Sequence, residues 1–304
     1  METAQPGLQL VWFKRDLRVV DHEPLWRASR QGPVLPLYIA EPGLWQQPDA
    51  SARQWHFCRE SLEELRTALA ALGMPLVVRV GEAVAVLERA RRHLGIDGLW
   101  SHEETGNGWT YARDRQVAAW ARQHAIPWQE LPQSGVIRRR GSRDGWARRW
   151  EERMARPLLP APAALPPLAG ISLGDLPQDN DLGLAADPCP QRQAGGRRQG
   201  LELLHSFLEQ RSASYQRHLS APETAWHGCS RLSPHLSWGT LSLREVVQAS
   251  RRRRTALASL PGDGGRSWQR SLRAFEERLH WHCHFIQKLE CQPDLEVREL
   301  HPLT

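Results

Sequence analysis

Between Gln9 and Leu131, short apolar runs alternate with longer stretches whose apolar residues recur every three to five positions. No other feature constrains the fold as strongly, because the two periods demand two different backbones. QLVWF (Gln9–Phe13), VLPLYIA (Val34–Ala40), LVVRV (Leu76–Val80), GLWS (Gly98–Ser101) and WQEL (Trp128–Leu131) read as strands. Ala52–Leu72, with Phe57, Leu62, Leu65, Leu69 and Leu72 on one face, reads as a helix, as do Glu82–Leu94 and Tyr111–His124. Strands buried on both faces and separated by helices predict a doubly wound α/β domain with a parallel sheet. Such sheets bind ligands beyond the carboxyl ends of their strands. Lys14–Arg18 and His102–Trp109 follow strands directly, so both are candidate pocket walls. No G-x-G-x-x-G follows the first strand and no G-x-x-x-x-G-K-[ST] occurs, which excludes the usual dinucleotide fingerprint and the P-loop.

Eight of the 22 prolines lie between Pro157 and Gly196. That density prevents regular helix and central strand, and predicts a long surface connector. The expected organisation is an α/β domain over 1–140, a connector over 141–196 and a helical domain over 197–304. Arg138-Arg139-Arg140, Arg143 and Arg148-Arg149 precede the connector and read as a solvated basic loop, with phosphate contact as the alternative. Beyond Gly196, Leu201, Leu204 and Leu208 share a helical face. Ser242-Leu-Arg-Glu245 has the spacing of a capping box, and Arg251–Arg254 would end the helix it starts. Trp268, Leu272, Phe275, Leu279, Ile286 and Leu289 stripe a final long helix. Ahead of the capping box stands SRLSPHLSWG (Ser230–Gly239), with Pro234 placed for a first helical turn. Ser230 and Ser233 suit two roles there: capping the free N–H groups of a helix start, or sharing those groups with a bound phosphate.

The chain carries a net charge of +6 and a pI near 9.5, and its only lysines are Lys14 and Lys288. A basic surface built from arginine points to nucleic acid as a partner class, although arginine-rich coding would give the same count. The 14 tryptophans exceed the five phenylalanines and three tyrosines; most are expected in cores. Cys58, Cys189, Cys229, Cys283 and Cys291 are scattered, without a C-x-x-C pair. That argues against a disulfide framework or a zinc module. METAQPGLQL has no secretory pattern, and no apolar stretch reaches membrane length, so the reducing cytoplasm is the expected compartment. His280 and His284 have the i, i+4 spacing of a metal pair, but no acidic or cysteine partner stands at a second spacing. The histidines are read as polar pocket lining and no metal is assigned.

Four motifs, in order, resemble the DNA photolyase and cryptochrome family: VWFKRDLRVVDH (Val11–His22), Tyr111-Ala-Arg-Asp114, Cys229-Ser-Arg-Leu-Ser-Pro234 and Phe275-x-x-Arg278-Leu-x-Trp281. The resemblance implies an α/β antenna domain joined by a connector to the first part of an all-helical FAD-binding domain. It implies flavin contacts from Tyr215, from the loop Cys229, Ser230, Arg231, Leu232 and Ser233, and from Phe275. It places Trp281 and Arg278 at the catalytic position beside a lesion, and Arg217, Arg278, Trp281 and His282 on the DNA side. The implied chemistry is light-driven electron transfer from reduced FAD to a cyclobutane pyrimidine dimer in DNA. The alternatives are a cryptochrome-like photoreceptor without efficient repair, and a non-catalytic remnant that only folds or binds nucleic acid.

The family's pattern is broken at three points. Arg278 stands where photolyases usually carry a dimer-binding glutamate, and Glu277 beside it points about 100° away on a helix. Trp109-Thr110 replace the Asn-Glu pair of members with a folate antenna, leaving a folate, a deazaflavin or no second chromophore open. Cys229 replaces a threonine, and a thiol donates weakly. The sequence ends soon after the last matched helix, so the expectation is an incomplete flavin domain, acting as a monomer or with a second polypeptide that supplies further helices.

Overall fold

The computed structural model describes residues 7–138, 142–259 and 263–298. Two units are distinguished: Met1–Gln133 with Leu159–Arg197, and Ser134–Leu158 with Arg198–Thr304.

The first unit is the α/β domain. Its strands are β1 (Gln9–Phe13), β2 (Val34–Ala40), β3 (Val77–Val80), β4 (Gly98–His102) and β5 (Trp128–Leu131), all parallel, in the order β3-β2-β1-β4-β5. Central β1, β2 and β4 are buried at every residue, as continuous apolar runs require in a sheet covered on both faces. The helices are α1 (Glu23–Ala28), α2 (Pro42–Trp45), α3 (Ala52–Ala71), α4 (Ala83–Leu94) and α5 (Gly108–Gln123). α5 begins three residues before Tyr111 because Asn107 caps it, accepting the Thr110 N–H at 3.1 Å.

The expected connector over 141–196 does not behave as one segment. Trp146–Ala155 forms a helix, α6, which belongs to the second unit. Trp146, Trp150 and Met154 recur along one face and are buried, so the prolines mark only the stretch that follows. That stretch is ordered against the first unit. Leu165 N–H binds the Leu72 carbonyl at 2.6 Å, and Val78 N–H binds the Leu173 carbonyl at 2.8 Å. The second bond covers the edge strand β3, whose groups would otherwise be open to other chains. Arg192 pairs with Glu60, and Gly196 N–H binds Ser61 Oγ at 2.9 Å.

The second unit is helical: α6, α7 (Arg197–Glu209, its first residue in the first unit), α8 (Tyr215–His218), α9 (Pro222–Gly228), α10 (Ser233–Ser237), α11 (Leu243–Ala258) and α12 (Asp263–Cys291). Its core gathers Trp146, Trp150, Leu204, Phe207, Val246, Val247, Leu272, Phe275 and Leu279. Leu204 and Leu208 are buried as expected, but Leu201 is 40% exposed. Ser242 Oγ accepts the Glu245 N–H at 3.0 Å, so the cap before α11 forms. Arg251–Arg254 do not end that helix. It runs on to Ala258, because Thr255-Ala-Leu-Ala258 contains no breaker, and Arg251, Arg253 and Arg254 pair with carboxylates instead. Of the arginine cluster before the connector, Arg139 and Arg140 lie outside the described residues.

Candidate functional site

The predicted flavin and lesion residues all lie in the second unit. Phe207 of α7, Tyr215 at the start of α8 and Phe275 of α12 form an aromatic trio, with ring centroids 4.7–5.7 Å apart. The short turn Arg211–Ser214 is tied to α12 through Trp268 Nε1–H to Ser212 Oγ at 2.7 Å and Ser271 Oγ–H to the Ala213 carbonyl at 3.2 Å. Burial pushes the Tyr215 hydroxyl up to about 12, with Cys229 adding to the shift and Arg278 opposing it. Tyr215 therefore lies in the field of the loop and of α12 together. Phe275 is 2% exposed, so it forms the floor under this place rather than an open wall.

The loop departs from the simple cap expected of its serines. Arg231 has a left-handed backbone, φ 62°, which costs energy in a non-glycine residue and kinks the chain sharply. Leu232, 1% exposed, anchors the kink in the core. Ser233 and Pro234 are the first two residues of α10, and Pro234 takes the first-turn place. No side chain caps α10: Leu232 stands at the N-cap, and the Ser230 hydroxyl has only a 3.5 Å contact with the Leu232 N–H. Ser233 is exposed and Ser230 half-exposed, so both hydroxyls remain available to a ligand. Cys229 makes a long contact from Sγ to the His218 carbonyl, 3.9 Å, as a weak donor would.

On α12, the Arg278 guanidinium lies 4.8 Å from the centre of the Trp281 ring, and Trp281 meets Phe285 edge-on at 6.2 Å. Trp281 is 49% exposed and Phe285 59%, an unusual apolar exposure on one helix face. Arg278 is exposed, and His282 is half-buried, with its pKa lowered by burial. Arg217 is exposed on α8 and donates to Ser214 Oγ at 3.0 Å. His280 and His284 are half-buried and both pack on the core residue Trp146, at 4.7 and 5.7 Å.

Two further clusters occupy the carboxyl ends of β1, β2 and β4 in the first unit. Arg113 of α5 donates to Glu41 at 2.9 Å, Glu104 at 2.6 Å and Asp114 at 2.8 Å. Lys14 adds a contact of 3.5 Å to Asp114. Lys14 and Arg113 each stand 4.8 Å from the Trp12 ring. Burial raises Glu41 to about 7 despite Arg113, whereas the cations around Glu104 outweigh its burial and hold it low. Trp109 fills the neighbouring space, 3.0 Å from where a Cβ of Gly43 would stand. These charges satisfy one another, so the cluster does not fit the polar edge of a second chromophore without breaking ion pairs.

Beside it, Asp16 Oδ2 lies 2.8 Å from both His22 Nε2 and His102 Nδ1, with all three residues at most 2% exposed. The three offer ligand atoms within 4.8 Å of one another, as a metal site would. The hydrogen bonds point elsewhere. His22 Nδ1 accepts the Leu25 N–H at 3.1 Å and caps α1, so the ring proton sits on Nε2 and faces Asp16. A metal at Nε2 would require a proton on Nδ1, against the Leu25 N–H. Asp16 and His22 fall in the VWFKRDLRVVDH stretch, but His102 is 86 residues from Asp16, and no spacing rule joins them. A cavity of about 640 Å³ opens at the other end of the sheet, beside Gln9, Trp26, Arg30, Asp97 and Trp100; no predicted site residue lines it.

Residues 9–141 match the DNA photolyase family model. A cryptochrome DASH of Gloeobacter violaceus is 33% identical over 265 residues, 78% of this chain and 52% of the relative. A deoxyribodipyrimidine photo-lyase of Thermus thermophilus is 30% identical over 298 residues, 96% of this chain and 64% of the relative. A class III photolyase of Agrobacterium tumefaciens superposes with a TM-score of 0.76 at 19% identity, covering 99% of this chain and 63% of that structure. The chain thus spans between half and two thirds of the length of these relatives. Its α/β sheet carries the match to the DNA photolyase family model, and along most of its length the chain is similar to photolyases and cryptochromes.

Proposed function

We propose that the chain carries the phosphate-holding part of an FAD site and serves light-driven repair of cyclobutane pyrimidine dimers in DNA. The observation that carries this reading is the kinked Cys229–Ser233 loop beside Tyr215, with Ser230 and Ser233 free to donate. A donor set of hydroxyls, loop N–H groups and nearby arginines suits a pyrophosphate. Bound reduced flavin would supply the excited electron donor; the protein supplies position and charge. Tyr215 and Phe275 support the loop from the aromatic core, and Trp281 presents a half-exposed indole face on which an extruded base can stack. Arg217, Arg278 and His282 belong to the DNA side in this reading. Phosphate contact would position DNA without reading its sequence. The charge cluster at the strand ends takes no second chromophore here. Among the described residues no helix is long and apolar enough to cross a membrane, and the cytoplasm is the proposed compartment.

Arg278 supports a second reading. The place of a dimer-binding carboxylate holds a guanidinium stacked on Trp281, which favours a flavin photoreceptor without efficient repair. The deciding experiment is to reconstitute the chain with FAD, record its visible spectrum and illuminate an oligonucleotide carrying a thymine dimer. Bound flavin with dimer splitting supports repair, and bound flavin without splitting supports photosensing. A chain that stays colourless rejects both readings.

A further inference from the structure

The guanidinium of Arg211 lies half-buried behind the Cys229–Ser233 loop. Nε donates to Ser206 Oγ at 2.9 Å, Nη2 to the Leu203 carbonyl at 2.8 Å and the Ser230 carbonyl at 3.4 Å, and Nη1 to the Cys229 carbonyl. All these acceptors are neutral. Among the described residues no carboxylate pairs with Arg211. Other arginines of this unit differ: Arg251 pairs with Glu151, Arg253 with Glu209 and Arg254 with Glu276. Burial lowers the pKa of Arg211, and the charge of Arg231 lowers it further. The fold thus holds one uncompensated cation against the loop and brings a second beside it through the left-handed residue Arg231. A cation removed from water without a counterion is unfavourable, and a purely mechanical staple between α7 and the loop would need only neutral donors. Because the Cys229 and Ser230 carbonyls turn back towards Arg211, their negative ends are withdrawn from the outer side of the loop.

We infer that Arg211 is a positioning residue and fixed countercharge for a phosphate or pyrophosphate group bound on the Cys229–Ser233 loop. The inference rests on the flavin reading only for the identity of the rest of the ligand. Its charge attracts the anion from behind the loop, while its hydrogen bonds keep the two carbonyls out of the anion's way.

The test uses the 304-residue chain with three probes: inorganic pyrophosphate, FAD, and riboflavin, which lacks phosphate. Titration calorimetry compares the parent with Arg211→Gln, Arg211→Lys and, as a surface control, Arg148→Gln. Arg211→Gln is expected to weaken pyrophosphate and FAD about tenfold or more, as loss of a charge-assisted contact does, and to leave riboflavin unchanged. Arg211→Lys should recover most of the loss, and Arg148→Gln should match the parent. Pyrophosphate binding that is absent, or equal in the parent and Arg211→Gln, overturns the inference. So does a loss shared equally by riboflavin, which marks a merely structural role. Pyrophosphate bound through Arg211 without FAD binding keeps the inference and removes the flavin reading; FAD bound equally by Arg211→Gln does the reverse. If Arg211→Gln fails to fold, Arg211→Lys decides: retained pyrophosphate affinity supports the countercharge, and lost affinity in a folded protein overturns it.

Discussion

Asp16, His22 and His102 show how a single buried carboxylate can fix the protonation of its neighbours. Both imidazoles give their N–H to the same oxygen, and each is kept neutral because burial penalises the charged form. The His102 pKa falls from 6.5 to about 3. In the unfolded chain this ring takes up a proton near pH 6.5, whereas in the folded chain it resists until about pH 3. Unfolding is therefore favoured progressively as pH drops through that interval, and no contribution remains to be lost above it. Asn at this position matches the Nδ1 side of the ring and can donate to Asp16 without titrating. His102→Asn should lose less stability than the parent between pH 6.5 and 3, by an order of a few kcal/mol, as seen in urea melts along a pH series. Parallel pH profiles would reject the neutral, shared-carboxylate arrangement. The VWFKRDLRVVDH stretch was legible as a strand followed by charge. The partnership with His102 was not, because it is made by the adjacency of β1 and β4 and not by any local pattern. Arg211 was missed for a related reason: its importance lies in the carboxylate it lacks, which only packing reveals.

Elements were legible wherever one period dominated. The short α1 and α2 were not read from the apolar pattern, whereas the five strands and three of the five helices described in the first unit, α3, α4 and α5, follow it closely. Their ends moved where a side chain, not the pattern, set the boundary, as at Asn107. Charge misled at Arg251–Arg254, because the helix dipole is weak beside the propensity of the Thr255–Ala258 turn and the ion pairs available on the flank. Ser242 is 2% exposed and caps α11, so Ser242→Ala should cost about 1 kcal/mol and lower the Tm in calorimetry. An unchanged Tm would mean that the cap is replaceable by water. The connector offers a second test. Gly174 has φ 70°, and a Cβ there would fall onto the Val78 carbonyl. Gly174→Ala should lift the connector from β3, speed hydrogen exchange at the Val78 N–H, which donates to Leu173, and promote association through the freed edge. Exchange equal to the parent's would show that the wrap tolerates the side chain. Proline density marked this segment as irregular, but its docking on β3 depends on carbonyl positions that composition does not encode.

For the molecule as a whole, the count of 40 basic residues overstates the positive surface open to a polyanion. Arg251, Arg253 and Arg254 form ion pairs with Glu151, Glu209 and Glu276 at 2.7–3.0 Å, so most of the longest arginine run is neutralised where it stands. Arg278, stacked on an exposed tryptophan, is exposed and able to meet a phosphate. If the chain binds duplex DNA as proposed, log affinity should fall linearly with log salt, with a slope of about −0.9 for each phosphate neutralised. Arg278→Ala should make that slope shallower by about one, the share of a single phosphate contact. Arg254→Ala should leave the slope unchanged and lower the Tm, because Glu276 is 9% exposed, carries a pKa raised by burial, and would lose the nearer of its two cations, keeping only Arg251 at 3.9 Å. Anisotropy titrations of a labelled duplex and thermal melts of both variants separate the two roles. If Arg254→Ala reduced the slope and spared the Tm, the arginine run would be a DNA surface. The ion pairs on α11 would then be secondary to it, and the second unit would engage DNA through α11 rather than through the Trp281 face of α12.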